Sequence, residues 1–248
     1  MKVQPAGFIF HLSRCGSTLI TGCLSELDST CVLSESPVLT GVLLDTKLDE
    51  ATRQQYLQHL IDLQACVFPD RANIVIKWNA WDIFRWNLIR AIYPQVPCIL
   101  LVRNPLEIIA SHQREAGWHM SGDPALGCVN PAFFINPELP FSFRDFRIGV
   151  LSALLTEMQT IGNGQGTRRL DYSQIDMDKL VEVCGYFDIP LSQIEAIRIK
   201  TRMTFNSKLP ALRFQSDSAE KQNAIGETDS THIKQTVMPL YDQFLKVL

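Results

Sequence analysis

Residues 7–18 read GFIFHLSRCGST. The apolar run GFIFHL stops at a polar loop containing Gly16, and TLITGCLSEL follows from Thr18. A short apolar run bounded by turn residues reads as a buried strand, and the stretch after the loop as a helix near 17–27. Strand, glycine loop, helix is an order with a chemical consequence. It points backbone N–H groups and the positive end of a helix dipole at whatever lies in the loop, which makes a natural anion site. The usual nucleotide loop of this shape is G-x-x-x-x-G-K-[ST]. Here His11 stands at the first Gly and Ser17 at the Lys, so the identity of the anion is open. Gly16 lets the backbone approach it, Ser17 and Thr18 offer hydroxyls, and Arg14 offers a charged fork. A capped helix with a tight turn accounts for Ser and Thr equally well.

Outward from this loop, TCVLS (30–34), NIVIK (73–77), CILLV (98–102) and RRLDY (168–172) read as further strands. Helices are expected over about 51–67, on the spacing of Tyr56, Leu57, Leu60, Leu63 and Val67, and over 80–92, with Asn79 as N-cap and Asp82 at N3. Asn104, Pro105 and Glu107 give a third start, with Glu107 as the reciprocal carboxylate of a capping box. Others are expected over 144–161, ended by GNG, from the fifth strand to about 187, and over 230–247. Strands alternating with helices imply a central parallel sheet with helices on both faces. Residues 116–143 lack periodicity, and 200–228 are polar and irregular. Both are candidate lids on one domain spanning 1–248.

Ligands of such sheets sit beyond the carboxyl ends of the strands. Strand one delivers Arg14, strand two Glu35, strand three Lys77 and strand four Arg103. Three cations and one carboxylate therefore converge on one edge. The 248 residues carry a net charge of −3, with 46% hydrophobic and 20% charged residues. That argues against a broad nucleic-acid surface. No apolar run is long enough to span a bilayer, and the first residues make a poor signal peptide. Seven widely spaced Cys without a C-x-x-C pair, and five scattered His, suggest reduced thiols and no metal motif. A cytoplasmic protein with neither membrane nor nucleic-acid partner is expected. Its oligomeric state is not legible.

The stretch LLVRNPLEIIASHQRE (100–115) adds a second motif. Arg103 leaves the strand end, and Ser111 and Arg114 share a face of the next helix while Ile108 and Ile109 face the core. Together the two motifs resemble the P-loop sulfotransferases, which use 3′-phosphoadenosine-5′-phosphosulfate (PAPS). Their first loop commonly reads P-[KR]-[SG]-G-T-T; here it is SRCGST, residues 13–18. Their second commonly reads R-[DN]-P-x-x-x-x-x-S; here RNPLEIIAS, residues 103–111, keeps the Arg-to-Ser spacing. LDYSQI (170–175) echoes their L-x-Y-E-x-L, with Ser173 for the Glu and Ile175 for the Leu. HLSRCGSTL followed by SESP is most similar to uncharacterised bacterial members. The resemblance covers roughly residues 7–187 and implies a three-layer, P-loop NTPase-like α/β fold.

The resemblance also implies roles. Arg14, Cys15, Gly16, Ser17 and Thr18 would hold the 5′-phosphosulfate, and Arg103, Ser111 and Arg114 the 3′-phosphate, with no metal. Transfer needs stabilised charge on the moving sulfuryl group and a base for the acceptor. Arg14 and Lys77 suit the first. Some members carry a Glu at a similar distance past the loop, and others a His in K-T-H. Lys77 is followed by Trp78 and Asn79, so Glu35 is the expected base, with His112 or His119 next. The acceptor is a small molecule or glycan of unknown identity. Trp78, Trp81, Trp86, Trp118, Phe133 and Phe134 are candidates to line its site, though Trp81 and Phe84 fit a core role better. Lys200, Arg202, Lys208, Arg213 and Lys221 belong to a segment that would close over the nucleotide. Two other classes share the fold: a P-loop kinase or phosphotransferase, and a nucleotide-binding module without catalysis. The missing Lys at 17 and the lack of a Walker B carboxylate argue against the first.

Overall fold

The computed structural model describes residues 3–136, 138, 140–207 and 211–246. Five strands form one parallel sheet: β1 (Gly7–His11), β2 (Thr30–Ser34), β3 (Asn73–Lys77), β4 (Cys98–Val102) and β5 (Thr167–Asp171), in the order β2-β3-β1-β4-β5. The register sets Ile9 beside Lys77 and Ile99, so β1 lies central with β3 and β4 on its flanks. All five expected strands are present.

The three inner strands β3, β1 and β4 bury both faces, and alternate residues enter separate cores. Phe8, Phe10, Ile74, Ile76, Leu100 and Val102 pack on one side, with helices α2 (Pro37–Leu44), α3 (Glu50–Cys66), α4 (Trp86–Ile92), α5 (Pro105–Arg114), α6 (Phe143–Ile161), α10 (Glu227–Thr236) and α11 (Met238–Leu245). Ile9, Val75, Ile99, Leu101 and Leu170 pack on the other, with α1 (Ser17–Leu24), α7 (Met177–Tyr186) and α8 (Gln193–Met203). The split follows from chirality. The chain moves leftward only from β1 to β2, so right-handed crossovers put α1 on one face and the helices before β3, β4 and β5 on the other.

Several elements differ from the sequence expectation. The face of α3 is turned: Leu57, Ile61 and Ala65 are buried, while Tyr56, Leu63 and Val67 are exposed. The buried stripe runs at i, i+4 through Leu57, Ile61 and Ala65. Residues 80–85 form a 3-10 helix before α4, held by the expected Asn79–Asp82 capping box. Glu107 does not close a box on Asn104, whose side chain accepts from the Leu106 N–H; Glu107 pairs with Arg103 instead. The last helix is two, because Pro239 lacks the N–H that an unbroken helix would need there. The short α2 opens on Ser36 and Pro37, an N-cap and N1 pair that the strand-centred reading passed over. Residues 200–228 are not uniformly irregular: α8 ends at Met203 and α9 (Ser218–Asn223) lies against α5. Residues 116–143 carry three short 3-10 turns and lead into α6 at Phe143.

Candidate functional site

The loop after β1 is built from left-handed backbone: φ is 66° at Ser13, 52° at Arg14 and 87° at Gly16. Each non-glycine residue held this way costs about 1–2 kcal/mol. Gly16 meets a second constraint, since a Cβ there would lie 2.5 Å from the Tyr172 ring. Cys15 turns away from the anion side. Its thiol is buried, lies 3.4 Å from the Leu101 carbonyl, and burial pushes its pKa up to about 12. Only its backbone N–H is available to the loop. Ser17 is buried and Thr18 half-buried at the start of α1.

Lys77 ends β3 on the α1 face, one residue before Trp78, which is locked into the opposite core against Phe8 and Phe10 at ring separations of 5.6 and 6.0 Å. Such aromatic contacts add about 0.5–1.5 kcal/mol each beyond burial, and they fix where Lys77 points. Its ammonium lies 3.0 Å from Glu35 Oε1 and 3.5 Å from Thr18 Oγ1. Glu35 leaves β2 with φ 49°, and its N–H donates to the Lys77 carbonyl at 2.7 Å. Partial burial raises the Glu35 pKa, but His11 and Lys77 outweigh it and hold the carboxyl down at about 2. His11 Nε2 is 3.2 Å from the same oxygen, close but out of line for a hydrogen bond.

Arg14 donates to the Glu115 carbonyl at 2.7 Å and to its carboxylate at 3.0 Å, so its guanidinium faces the end of α5. Arg103 is buried beneath the loop. It pairs with Glu107 at 2.5 Å, donates to the Arg14 carbonyl at 3.3 Å, and lies 4.0 Å over the Tyr172 ring. Its second amine reaches Asp217 at 3.4 Å and Ser218 at 3.3 Å. Arg114 pairs with Glu220 at 2.7 Å, and Ser111 is half-buried on the same helix. Of the four strand-end residues, Lys77 meets Glu35 and Arg103 meets the Arg14 backbone, while the Arg14 guanidinium turns to Glu115. Each of the cations Arg14, Lys77, Arg103 and Arg114 faces at least one carboxylate, two of these carboxylates coming from residues 217–220.

A cleft of about 570 Å³ opens beside Arg103, with Leu19, Tyr172, Ile175, Met203, Phe214 and Tyr241 among its walls and Ser173, Ser218 and Gln222 among its polar groups. Sequence reading missed Tyr172, Ser218 and Gln222 because they lie far along the chain; the LDYSQI echo was the one available signal. Of the five tail cations, Lys221 is buried against Asp217 at 2.9 Å and Arg202 donates to the Ser207 carbonyl at 3.2 Å. Lys200 and Arg213 are exposed, and Lys208 lies outside the described residues. His112 and His119 are buried, their rings 5.2 Å apart, and burial lowers both pKa values, that of His112 to about 3. Trp81 is buried as expected, Phe84 is half-buried, and Trp118 packs edge-on to Trp81 at 5.0 Å. All seven cysteines are free thiols. Among the described residues no helix is long and apolar enough to cross a membrane.

No family model and no curated protein matches the sequence. Solved structures do match the fold. The sulfotransferase domain from the curacin biosynthetic pathway is similar with a TM-score of 0.54 at 17% identity, over 95% of this chain and 92% of that one. The sulfotransferase STF9 from Mycobacterium avium is similar at 0.56 and 11%, over 93% and 77%. Mouse sulfotransferase SULT7A1, solved in complex with PAP, is similar at 0.51 and 10%, over 97% and 85%. The chain has the sulfotransferase fold.

Proposed function

We propose that this chain moves a sulfuryl group from PAPS to an acceptor hydroxyl or amine. The observation that carries the reading is that Lys77 reaches both Glu35 and Thr18 of the helix-start loop while Arg103 reaches the Arg14 carbonyl of the same loop, with an open cleft beside Arg103, in this fold. The residues fit an adenosine bisphosphate. The cleft offers apolar and aromatic walls for a base, and Arg103 with Arg114 offers guanidinium groups for a 3′-phosphate. The loop of residues 14–18 offers N–H groups and the helix dipole for the 5′ end. Asp217 and Glu220 now face those guanidinium groups, but both are partly exposed. Such pairs hold by about 0–1 kcal/mol, so a doubly charged phosphate displaces them.

PAPS would supply an activated sulfuryl group at the loop. Lys77, and Arg14 once it leaves the exposed Glu115, would neutralise negative charge there. Lys77 stands between Thr18 and Glu35, and this matters for the base. A carboxylate held at about 2 is a weak base. When Lys77 turns its charge toward the loop, Glu35 loses one cation and gains basicity, so the base strengthens when the donor site fills. The acceptor proton then passes to Glu35 Oε1 or its twin oxygen.

Release of 3′,5′-ADP from PAPS, followed across panels of hydroxyl and amine acceptors, tests this. Acceptor-dependent release that falls at least about 10²-fold in Glu35→Gln is expected. Release that survives this change removes Glu35 as base. Mg²⁺-dependent turnover of ATP in place of PAPS would assign a phosphotransferase.

A further inference from the structure

We infer that His11 is a positioning residue that couples the anion loop to Glu35, one ring nitrogen holding the loop and the other facing the carboxylate. This rests on the sulfotransferase reading for the role of the loop, and on geometry for the rest. His11 is the last residue of β1 and only 3% exposed. Its Nδ1 accepts the Ser13 N–H at 2.9 Å. Ser13 and Arg14 are the two left-handed non-glycine residues of the loop, so this bond pins the loop where its backbone is least comfortable. In the nucleotide loop of the G-x-x-x-x-G-K type the same place holds a glycine with no side chain to do this.

The bond also decides the tautomer. With the Nδ1 lone pair engaged, the neutral ring carries its proton on Nε2, the atom 3.2 Å from Glu35 Oε1. The N–H edge of the ring therefore faces the carboxylate that Lys77 approaches at 3.0 Å. His11 has no free lone pair with which to take an acceptor proton, and this separates it from a general base. The charged and titratable groups around the pair are Lys77 from β3, Asp82 from the 3-10 helix 80–85, and His119 from the 3-10 turn Trp118–Met120.

Two conservative variants divide the roles. His11→Asn places an amide oxygen near the Nδ1 position and cannot reach Glu35. His11→Gln places an amide near the Nε2 position and gives up the Ser13 bond. The readouts are 3′,5′-ADP affinity by calorimetry and Glu35 titration by ¹³C-carboxyl NMR, the signal assigned with Glu35→Gln. For His11→Asn we expect affinity within about threefold of the parent and a Glu35 midpoint moved up by about one pH unit. For His11→Gln we expect affinity lower by about tenfold and a midpoint near the parent value. If the two variants match each other in both readouts, or neither readout moves, the inference is overturned. If the parent chain fails to bind 3′,5′-ADP, the sulfotransferase reading falls, while the Glu35 titration still decides whether His11 governs that carboxylate.

Discussion

Gly16 shows what a single residue does here. It needs a positive φ, and its missing Cβ makes room for Tyr172, whose ring carries Arg103 on its face. Gly16→Ala therefore meets left-handed strain and a ring collision together, about 2–4 kcal/mol. The melting temperature should fall by roughly 5–15 °C, and 3′,5′-ADP affinity should fall with it as Tyr172 and Arg103 shift. A variant that melts like the parent would show that the loop does not press on Tyr172. The placement of Arg14, Glu35, Lys77 and Arg103 at one edge was readable in sequence because each ends or follows a strand, and a parallel sheet sends all its strand ends one way. The partners of these residues were not readable. Glu107 was expected to cap a helix, yet Arg103, four residues earlier and buried beside it, is the stronger claimant. His11 drew notice only as a missing glycine, because nothing local tells that its two nitrogens reach Ser13 and Glu35.

At the scale of elements, α9 and the residue before it behave as a strap. Asp217 and Ser218 reach Arg103, Glu220 reaches Arg114, and Gln222 donates to Glu107 at 2.7 Å. Under the proposed function the strap's carboxylates occupy the guanidinium groups assigned to a phosphate, so they would compete with it. Asp217→Asn with Glu220→Gln should raise 3′,5′-ADP affinity by about two- to fivefold at low salt, and the gain should shrink as salt screens the exposed pairs. Weaker binding in this double variant would mean the strap helps to hold the ligand. Composition marked this segment as polar, but six residues of α9 are too few to show a helical period. The same limit hid α2. For α3 the period was visible but its phase was not, because apolar Tyr56, Leu63 and Val67 lie off the Leu57, Ile61 and Ala65 stripe that packs.

For the whole molecule, burial of ionisable groups makes stability depend on pH. His11, His112 and His119 all have folded pKa values below the ordinary 6.5, chiefly from burial. As pH falls through 6.5 the unfolded chain takes up protons that the folded chain refuses, so stability drops. Asp82 works the other way: burial pushes its pKa up to about 7, so its folded form holds a proton that the unfolded form lacks. Near pH 5.5 the three histidines together outweigh the one aspartate, so stability should fall as pH drops from 6.5 to 5. Urea midpoints across that range check this, and a flat profile would mean the histidines protonate in the folded state. The sheet, its parallel sense and the edge that bears the site were legible from strand spacing and crossover chirality. The contribution of residues 214–222 to that edge was not, since it depends on how the chain returns after α8.

Calorimetry with 3′,5′-ADP in the absence of Mg²⁺, with 5′-AMP and ATP as competitors, bears most directly on the central claim. Removing Arg103 alone would leave Glu107 buried without its cation, so the comparison uses Arg103→Ala with Glu107→Gln. Binding that requires the 3′-phosphate and weakens by about 10–100-fold in that double variant is the expected result. Binding indifferent to the 3′-phosphate, or found only with ATP and Mg²⁺, would contradict the assignment of this edge to an adenosine bisphosphate.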